Sequence, residues 1–335
     1  MKIAVLMGGQ SGEHEVSLIS GNSIAQALKE EGYETVVVTI SLDGIWRLED
    51  GREVTILPKP SKGLWLIEEC KEIPIDVVFP VLHGPKGEDG TIQGLLELAA
   101  LPYVGSGVLG SAAGMDKAVM KALFRDANLP VPKTILVVRA DIELIEQEIG
   151  YPCFVKPANL GSSVGINKAR NRKELEFALT EAFKFDTRVV VEEAINEPRE
   201  IECSVLGLEP KASLPGEIVP DAEFYTYESK YQSQASKLII PAALSDSDTK
   251  KIQEYSIRAF RAVGAEGLSR VDFLIDRKTG KIYVNEINTM PGFTQISMYP
   301  KLWAASGLSY GKLVSQLVEL ALQRNKRRLD LKISR

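Results

Sequence analysis

The stretch from Arg270 to Met298, RVDFLIDRKTGKIYVNEINTMPGFTQISM, holds the densest set of residues able to do chemistry. Two apolar runs, VDFLID and KIYVNEIN, flank RKTG, a glycine-containing turn between β-branched and aromatic residues, and this predicts a β-hairpin. A pivot near Thr279 sets Asp272 opposite Glu286 and Arg270 opposite Asn288. Side chains alternate faces along a strand, so these four polar groups share one face. Two like charges directly across a ladder cost a few tenths to about 1 kcal/mol, which a cation between them would offset. Two carboxylates and an amide oxygen suit a hard ion such as Mg2+, completed by water and phosphate oxygens. The same residues also fit a plain polar hairpin end with a surface salt bridge.

The elements that position this hairpin belong to a chain of 335 residues, long enough for two or three domains. With 44% hydrophobic and 25% charged residues the composition is globular, and a formal charge of −5 argues against nucleic acid as a main partner. No apolar run approaches the ~20 residues of a membrane-spanning helix. IAVLM, running into Gly8-Gly9, reads as a buried strand and not as a signal sequence. Cys70, Cys153 and Cys203 are expected to be small core residues of a reduced, cytoplasmic protein, and only His14 and His83 are available for a histidine metal site.

The first ~115 residues alternate strand and helix, which predicts a doubly wound parallel sheet with ligands at the carboxyl ends of its strands. Strands are expected at Lys2–Met7, Thr35–Ile40 and Asp76–Leu82, with helices at Ser17–Glu30 and from near Asp89 to Ala100. Two loops fall at strand ends, GGQSGE at Gly8–Glu13 and HGPKGEDG at His83–Gly90. The first is neither GxGxxG nor a P-loop, and Glu13 would repel a phosphate, so an amine is its better partner. Glu13 could equally serve the helix dipole, and His83 could merely cap a strand end. A second unit spans 115–200: a helix at Met115–Ala127, strands at Thr134–Val138 and Cys153–Lys156, and the polar loop KPANLGSSVG at Lys156–Gly165. That loop could wrap a polyphosphate or be a flexible turn. Asn171 with Glu174 resembles a capping box, and Thr187–Val191 reads as an edge strand ending in Glu192-Glu193. The last unit, 201–335, has a strand at Ile201–Leu208, a polar loop at Asp221–Ser236, a helix capped by Ser245 and Asp248, the hairpin, and an amphipathic helix at Leu308–Arg324. The basic run Arg324–Arg335 reads as a solvated tail.

Taken together, GGQSGEHEVS, HGPKGEDG, MDK, VKPANLGSSVG, YESKY, RVDF and NEINTMPGFTQIS, in this order, resemble the ATP-grasp ligases and within them the D-alanine–D-alanine ligases. The resemblance implies an α/β chain, α+β in its C-terminal two-thirds, with 1–114 as a Rossmann-like substrate domain and 115–200 and 201–335 as two subdomains whose antiparallel sheets hold the nucleotide. It implies that Lys117 and Lys156 contact ATP phosphates and that the Gly161–Gly165 loop, with Ser162 and Ser163, closes over them. Glu192 would take the adenine amino group, Glu193 and Ile195 the ring edge, and Glu200 the ribose. Phe224 and Phe273 would sandwich the base, with Asn285 at the nucleotide site and Lys230 on the transferred phosphate. Asp272, Glu286 and Asn288 would hold Mg2+ or Mn2+, as two ions. Glu13, with Ser162 and Tyr231, would orient the first D-alanine, with His83 at the substrate site. Ser297 and Met298 would meet the second carboxylate, and Arg270 with the Gly292 N–H the oxyanion. Some members carry glutamate where Leu160 stands, a difference affecting loop contacts.

By this resemblance the protein is a cytoplasmic ligase that makes D-alanyl-D-alanine through an acyl phosphate for peptidoglycan synthesis, acting on D-alanine and ATP. The family is often dimeric through its N-terminal unit, which leaves a homodimer open. A D-serine or D-lactate ligase of the same fold, and a non-catalytic ATP sensor, are the alternatives. D-lactate ligases carry a histidine-bearing loop where this chain has Glu228-Ser229-Lys230-Tyr231, and a sensor would need neither Arg270 nor Glu13.

Overall fold

The computed structural model describes residues 1–161, 164–219 and 237–332. Its first strand β1 (Lys2–Gly8), helix α1 (His14–Glu30) and strands β2 (Glu34–Ile40) and β3 (Trp46–Leu48) lead into short strands β4 (Val54–Thr55), β5 (Gly63–Leu66) and β6 (Lys71–Pro74), then β7 (Val77–Pro80) and α2 (Thr91–Leu98). The main sheet runs β3-β2-β1-β7, parallel except for its edge strand β3. Apolar residues run almost without interruption through β1 because both faces are covered. Ile3, Val5 and Met7 pack with Ile24 and Leu28 of α1, while Ala4 and Leu6 pack with Ile92 and Leu96 of α2. The doubly wound expectation is met in this alternation. The antiparallel sheet β4-β5-β6 was not foreseen, since strands of two to four residues carry too little periodicity. Cys70 lies in the turn before β6 and is exposed, so it is not a core residue, whereas Cys153 and Cys203 are buried.

The expected helix at Met115–Ala127 is two, α3 (Val108–Met115) and α4 (Lys117–Asp126), because Asp116 is extended and caps α4 by accepting from Ala118 and Val119 N–H at 3.0 and 2.9 Å. Strand β8 (Thr134–Val137), α5 (Ile142–Glu148), β9 (Cys153–Pro157), β10 (Asn167–Ala169), α6 (Arg172–Ala182) and β11 (Val189–Glu193) follow, with Asn171 capping α6 by accepting from Glu174 N–H at 3.0 Å. Their antiparallel sheet runs β10-β9-β11-β8. Strand β11 is therefore interior, not an edge, as its unbroken Val189-Val190-Val191 fits.

Strands β12 (Arg199–Gly207), β13 (Lys211–Ala212), β14 (Gly216–Val219) and β15 (Lys237–Ile239), helix α7 (Asp246–Ala262), the hairpin β16 (Gly267–Ile275) and β17 (Ile282–Asn288), and helices α8 (Met298–Ala305) and α9 (Tyr310–Leu329) complete the chain. The second antiparallel sheet runs β15-β14-β12-β16-β17, with β13 also on β12. Ile252 and Phe260 of α7 cover it, as do Met120 and Phe124 of α4, so α4 packs on the C-terminal sheet as well as against β8 and β11 of the central one. Leu313 and Leu317 of α9 reach back to the core under α1.

The basic run is not a free tail at its start. Arg324 is buried and donates to the carbonyls of Tyr103, at 2.9 Å, and Gly105, while Arg328 pairs with Glu97. Helix α9 thus clasps the N-terminal unit. Arg324→Met leaves those carbonyls buried without donors and is expected to cost about 2–3 kcal/mol, lowering the melting temperature by about 3–4 °C. A shift below one degree in a thermal melt would refute the clasp.

Candidate active site

The hairpin register sets Asp272 opposite Glu286 and Arg270 opposite Asn288, but by a route the pattern alone does not contain. Near the turn the partners are Phe273 with Val284 and Ile275 with Ile282, one residue out of step with the outer pairs. A β-bulge between the two zones restores the outer register. Ile282 and Val284 face the core, then Ile287 does, so Asn285 and Glu286 share the break in alternation. The bulge re-aims Glu286 onto the face of Arg270 and Asp272.

Arg270 donates from Nε and Nη2 to the two carboxylate oxygens of Asp272 at 2.7 and 2.6 Å, and its Nε lies 3.0 Å from Glu202 Oε2 on β12. Asn288 donates to Asp272 at 3.1 Å. Glu202 is a buried acid that the sequence reading passed over, although the spacing of Glu200, Glu202 and Ser204 already placed it on the face that pairs with Leu274, Asp272 and Arg270. Phe273 does not belong to this face. It is 1% exposed and packs under α7, because it is an odd step from Asp272 along the strand. The residue that shares the face of Asp272 is Leu274, half-buried and paired with Glu200.

A cleft of about 710 Å3 opens over this face and brings together Glu13, His83, Lys117, Arg270, Glu286, Asn288, Gly292, Ser297 and Met298. Glu13 precedes α1 and is 8% exposed; a Cβ at Gly84 or Gly161 would come within 2.9 Å of its Oε2, so both glycines make room for the carboxylate. His83 donates from Nδ1 to the Met290 carbonyl at 3.1 Å, with Nε2 3.4 Å from Ser20 Oγ, and burial holds its pKa below the usual value, so the ring is neutral. It ties the HGPKGEDG loop to the strand exit that carries Gly292. Ser297 sits at the N-cap of α8 yet makes no side-chain cap; its Oγ meets Thr294 Oγ1 at 2.8 Å, beside Gly292. The hydroxyl and the helix N-terminus together suit a carboxylate.

Glu88 was also passed over. It lines the cleft and is partly buried; Gly84 N–H donates to it at 2.7 Å. Burial first, and the charge of Glu13 second, push it up to about 8 from an ordinary 4.5. The folded state thus keeps a proton that the unfolded chain releases near 4.5, and this stabilisation, whole below that pH, is lost as pH rises through about 8. Glu88→Gln carries the neutral form throughout, so the melting temperature of the parent is expected to fall relative to the variant between pH 5 and pH 8. Parallel melting curves across that range would refute the shift.

On the side of the central sheet, Lys117 opens α4 and donates to the Leu160 carbonyl. Lys156 donates to Glu192 Oε2 at 2.7 Å across β9 and β11, and Lys121, also missed, lies 3.4 Å from Glu192 Oε1. Burial works against the charge of Glu192, but the two lysines outweigh it and hold the carboxyl down at about 2. Glu193 accepts from Lys133 N–H at 2.7 Å at the end of β11, Ile195 follows, and Glu200 and Asn285 sit half-buried on the C-terminal sheet. Lys156, Glu192, Glu193, Ile195, Glu200, Phe273 and Asn285 do not line the cleft itself. Ser162, Ser163, Phe224, Lys230 and Tyr231, and the loop at Asp221–Ser236, lie outside the described residues.

Family models described as the D-ala D-ala ligase N-terminus and C-terminus match residues 2–106 and 123–319. The chain belongs to the D-alanine–D-alanine ligase family. A curated relative named D-alanine–D-alanine ligase, from Heliobacterium modesticaldum, is 52% identical, with 96% of this chain and 94% of the relative covered. The solved D-alanine-D-alanine ligase of Coxiella burnetii is similar with a TM-score of 0.87 and 38% identity over 98% of this chain and 96% of that one. The VanG D-Ala:D-Ser ligase of Enterococcus faecalis gives 0.87 and 37% over 96% and 99%. The fold is ATP-grasp and the protein is an enzyme, a ligase of this kind. No helix among the described residues is long and apolar enough to cross a membrane.

Proposed function

We propose that the protein joins two D-alanine molecules to D-alanyl-D-alanine at the cost of ATP, in the cytoplasm, for peptidoglycan precursor synthesis. The observation that carries this reading is one cleft in which an acid from the N-terminal loops, Glu13, faces the Arg270, Glu286 and Asn288 face of the C-terminal hairpin. A carboxylate resists attack by an amine because oxide would have to leave. Transfer of the γ-phosphoryl group to the first D-alanine gives an acyl phosphate; the second D-alanine's amine then forms the C–N bond while phosphate departs. Phosphoryl transfer between anions asks for alignment and positive charge. Lys117 and Lys156 are assigned to the phosphates, Glu192 to the base, Glu200 to the ribose and Leu274, in place of Phe273, to the adenine face.

Asp272, Glu286 and Asn288 fit Mg2+ or Mn2+ as hard oxygen donors, and no cluster of three or more His, Cys, Asp or Glu suited to a metal occurs among the described residues. Three protein donors would leave positions for nucleotide phosphates and water to fill. The bound ions would neutralise phosphate charge. Glu13 orients the first ammonium, Ser297 and the α8 N-terminus bind the second carboxylate, and Arg270 with the Gly292 N–H stabilises the oxyanion, where one preorganised donor is worth about 3 kcal/mol. Tyr231, Lys230, Ser162, Ser163 and the Asp221–Ser236 loop are proposed to complete the site and close it.

The decisive experiment is mass detection of the product made from ATP, Mg2+ and D-alanine. D-alanyl-D-alanine with stoichiometric ADP supports the reading; bound ATP without D-alanine-dependent ADP release would establish a sensor instead. Similarity to a D-Ala:D-Ser ligase gives the second reading its weight. ADP release compared among D-alanine, D-serine and D-lactate separates them, with D-alanine expected to be fastest.

A further inference from the structure

Lys121 is a buried cation that the reaction, as derived above, leaves without a task. It follows Lys117 by one turn of α4, is 1% exposed and does not line the cleft. Its Nζ lies 3.4 Å from Glu192 Oε1, and among the described residues neither atom makes a hydrogen bond. Lys156 holds the other oxygen at 2.7 Å. One buried carboxylate is thus flanked by two ammonium groups. Burying a charge is costly unless it is paired, and Leu or Met would fill this place on α4 without that cost. Burial pushes Lys121 down to about 8, against the pull of Glu192 and with the repulsion of Lys156.

Two cations beside one carboxylate, with Glu286 also favouring the charge of both, make sense if one of them leaves. Lys156 is the one assigned to a phosphate, and Lys121, enclosed beneath α4, stays. We propose that Lys121 is a positioning residue: it remains the counter-ion of Glu192 when Lys156 turns to the nucleotide's phosphates, and so keeps that carboxylate an anionic acceptor for the base's exocyclic amino group. The inference rests on the assignment of Glu192 to the base. It makes Lys121 a determinant of nucleotide choice, favouring a base with an amino group over one with a carbonyl at the same position.

The test compares steady-state kinetics with ATP and with ITP, which carries the carbonyl, in the parent, Lys121→Met, Glu192→Gln and the double variant. Losing a charge-assisted hydrogen bond predicts a rise in KM for ATP of about tenfold in Lys121→Met, with kcat changed less than about threefold. The preference for ATP over ITP narrows in both single variants, and the double variant is no worse than Glu192→Gln alone, because Lys121 acts only through Glu192. If Lys121→Met does not fold, the double variant, which removes the stranded carboxylate too, carries the test. A KM within about twofold of Glu192→Gln supports the proposal, and a further tenfold rise overturns it. A Lys121→Met protein with a lowered melting temperature but an unchanged ATP preference also overturns it, leaving a merely structural lysine. If Glu192→Gln itself leaves the preference unchanged, the assignment of the base to Glu192 fails and takes the inference with it. If only Glu192→Gln narrows it, the role of Lys121 alone is wrong.

Discussion

Glu286→Gln is expected to lower kcat by about a thousandfold, since ligation of a phosphate-bridging metal is worth several kcal/mol, while the protein stays folded. The substitution keeps the shape of a half-buried side chain at the bulge of β17 and removes one of two acids facing each other across the ladder. Relief of that repulsion is worth a few tenths to about 1 kcal/mol in favour of the folded state. Weaker support for Lys156, whose charge Glu286 also favours, offsets part of it. Activity and stability should therefore part company: turnover collapses while the melting temperature is unchanged or slightly raised. Activity within tenfold of the parent at saturating Mg2+ would remove Glu286 from the metal site. A protein that no longer folds would show that the pair is structural.

Arg270→Lys is the second large effect, with kcat expected to fall about 100- to 1000-fold, the loss typical of one oxyanion donor. Arginine presents a planar fork that lysine cannot copy. In this site the fork meets both oxygens of Asp272, at 2.7 and 2.6 Å, while Nε also reaches Glu202 at 3.0 Å. An ammonium cannot reproduce the bidentate contact to Asp272 together with the reach to Glu202, so stability should also drop, by about 1–3 kcal/mol. Arg270→Met, which strands both carboxylates, should cost more, about 3–5 kcal/mol. The split between the two variants is the check. If Lys restores turnover to within tenfold of the parent, a point charge suffices and the directional role of the guanidinium is wrong.

Much of the site was legible because its residue types cannot easily serve elsewhere. Acids opposite one another on a hairpin, a glutamate in a glycine-rich loop and lysines beside glycines are costly without a ligand, and Glu286, Glu13 and Lys117 do line one cleft, with Asp272 across the ladder from Glu286. The parts that were not legible have specific causes. Phe273 was assigned to the base by family pattern, against the period-two alternation that sends it to the core. Glu202, Glu88 and Lys121 match no short motif, and their importance lies in burial among charges brought from strands and loops far apart in the chain.

The sequence by itself determined many of the longer elements and some of their ends: apolar runs for the buried β1, caps at Asn171 and Ser245, a turn at RKTG, because propensity, capping and strand alternation act over a few residues. Only the tertiary structure decided which of those elements share a core and which charges meet. The bulge that aims Glu286, the packing of α4 on the C-terminal sheet and the burial of Arg324 against the N-terminal unit all depend on contacts across more than a hundred residues or on a register that one extra residue can shift. The hairpin pairing was foreseen on simple symmetry about Thr279, and it is the bulge, a feature without a composition of its own, that makes it hold.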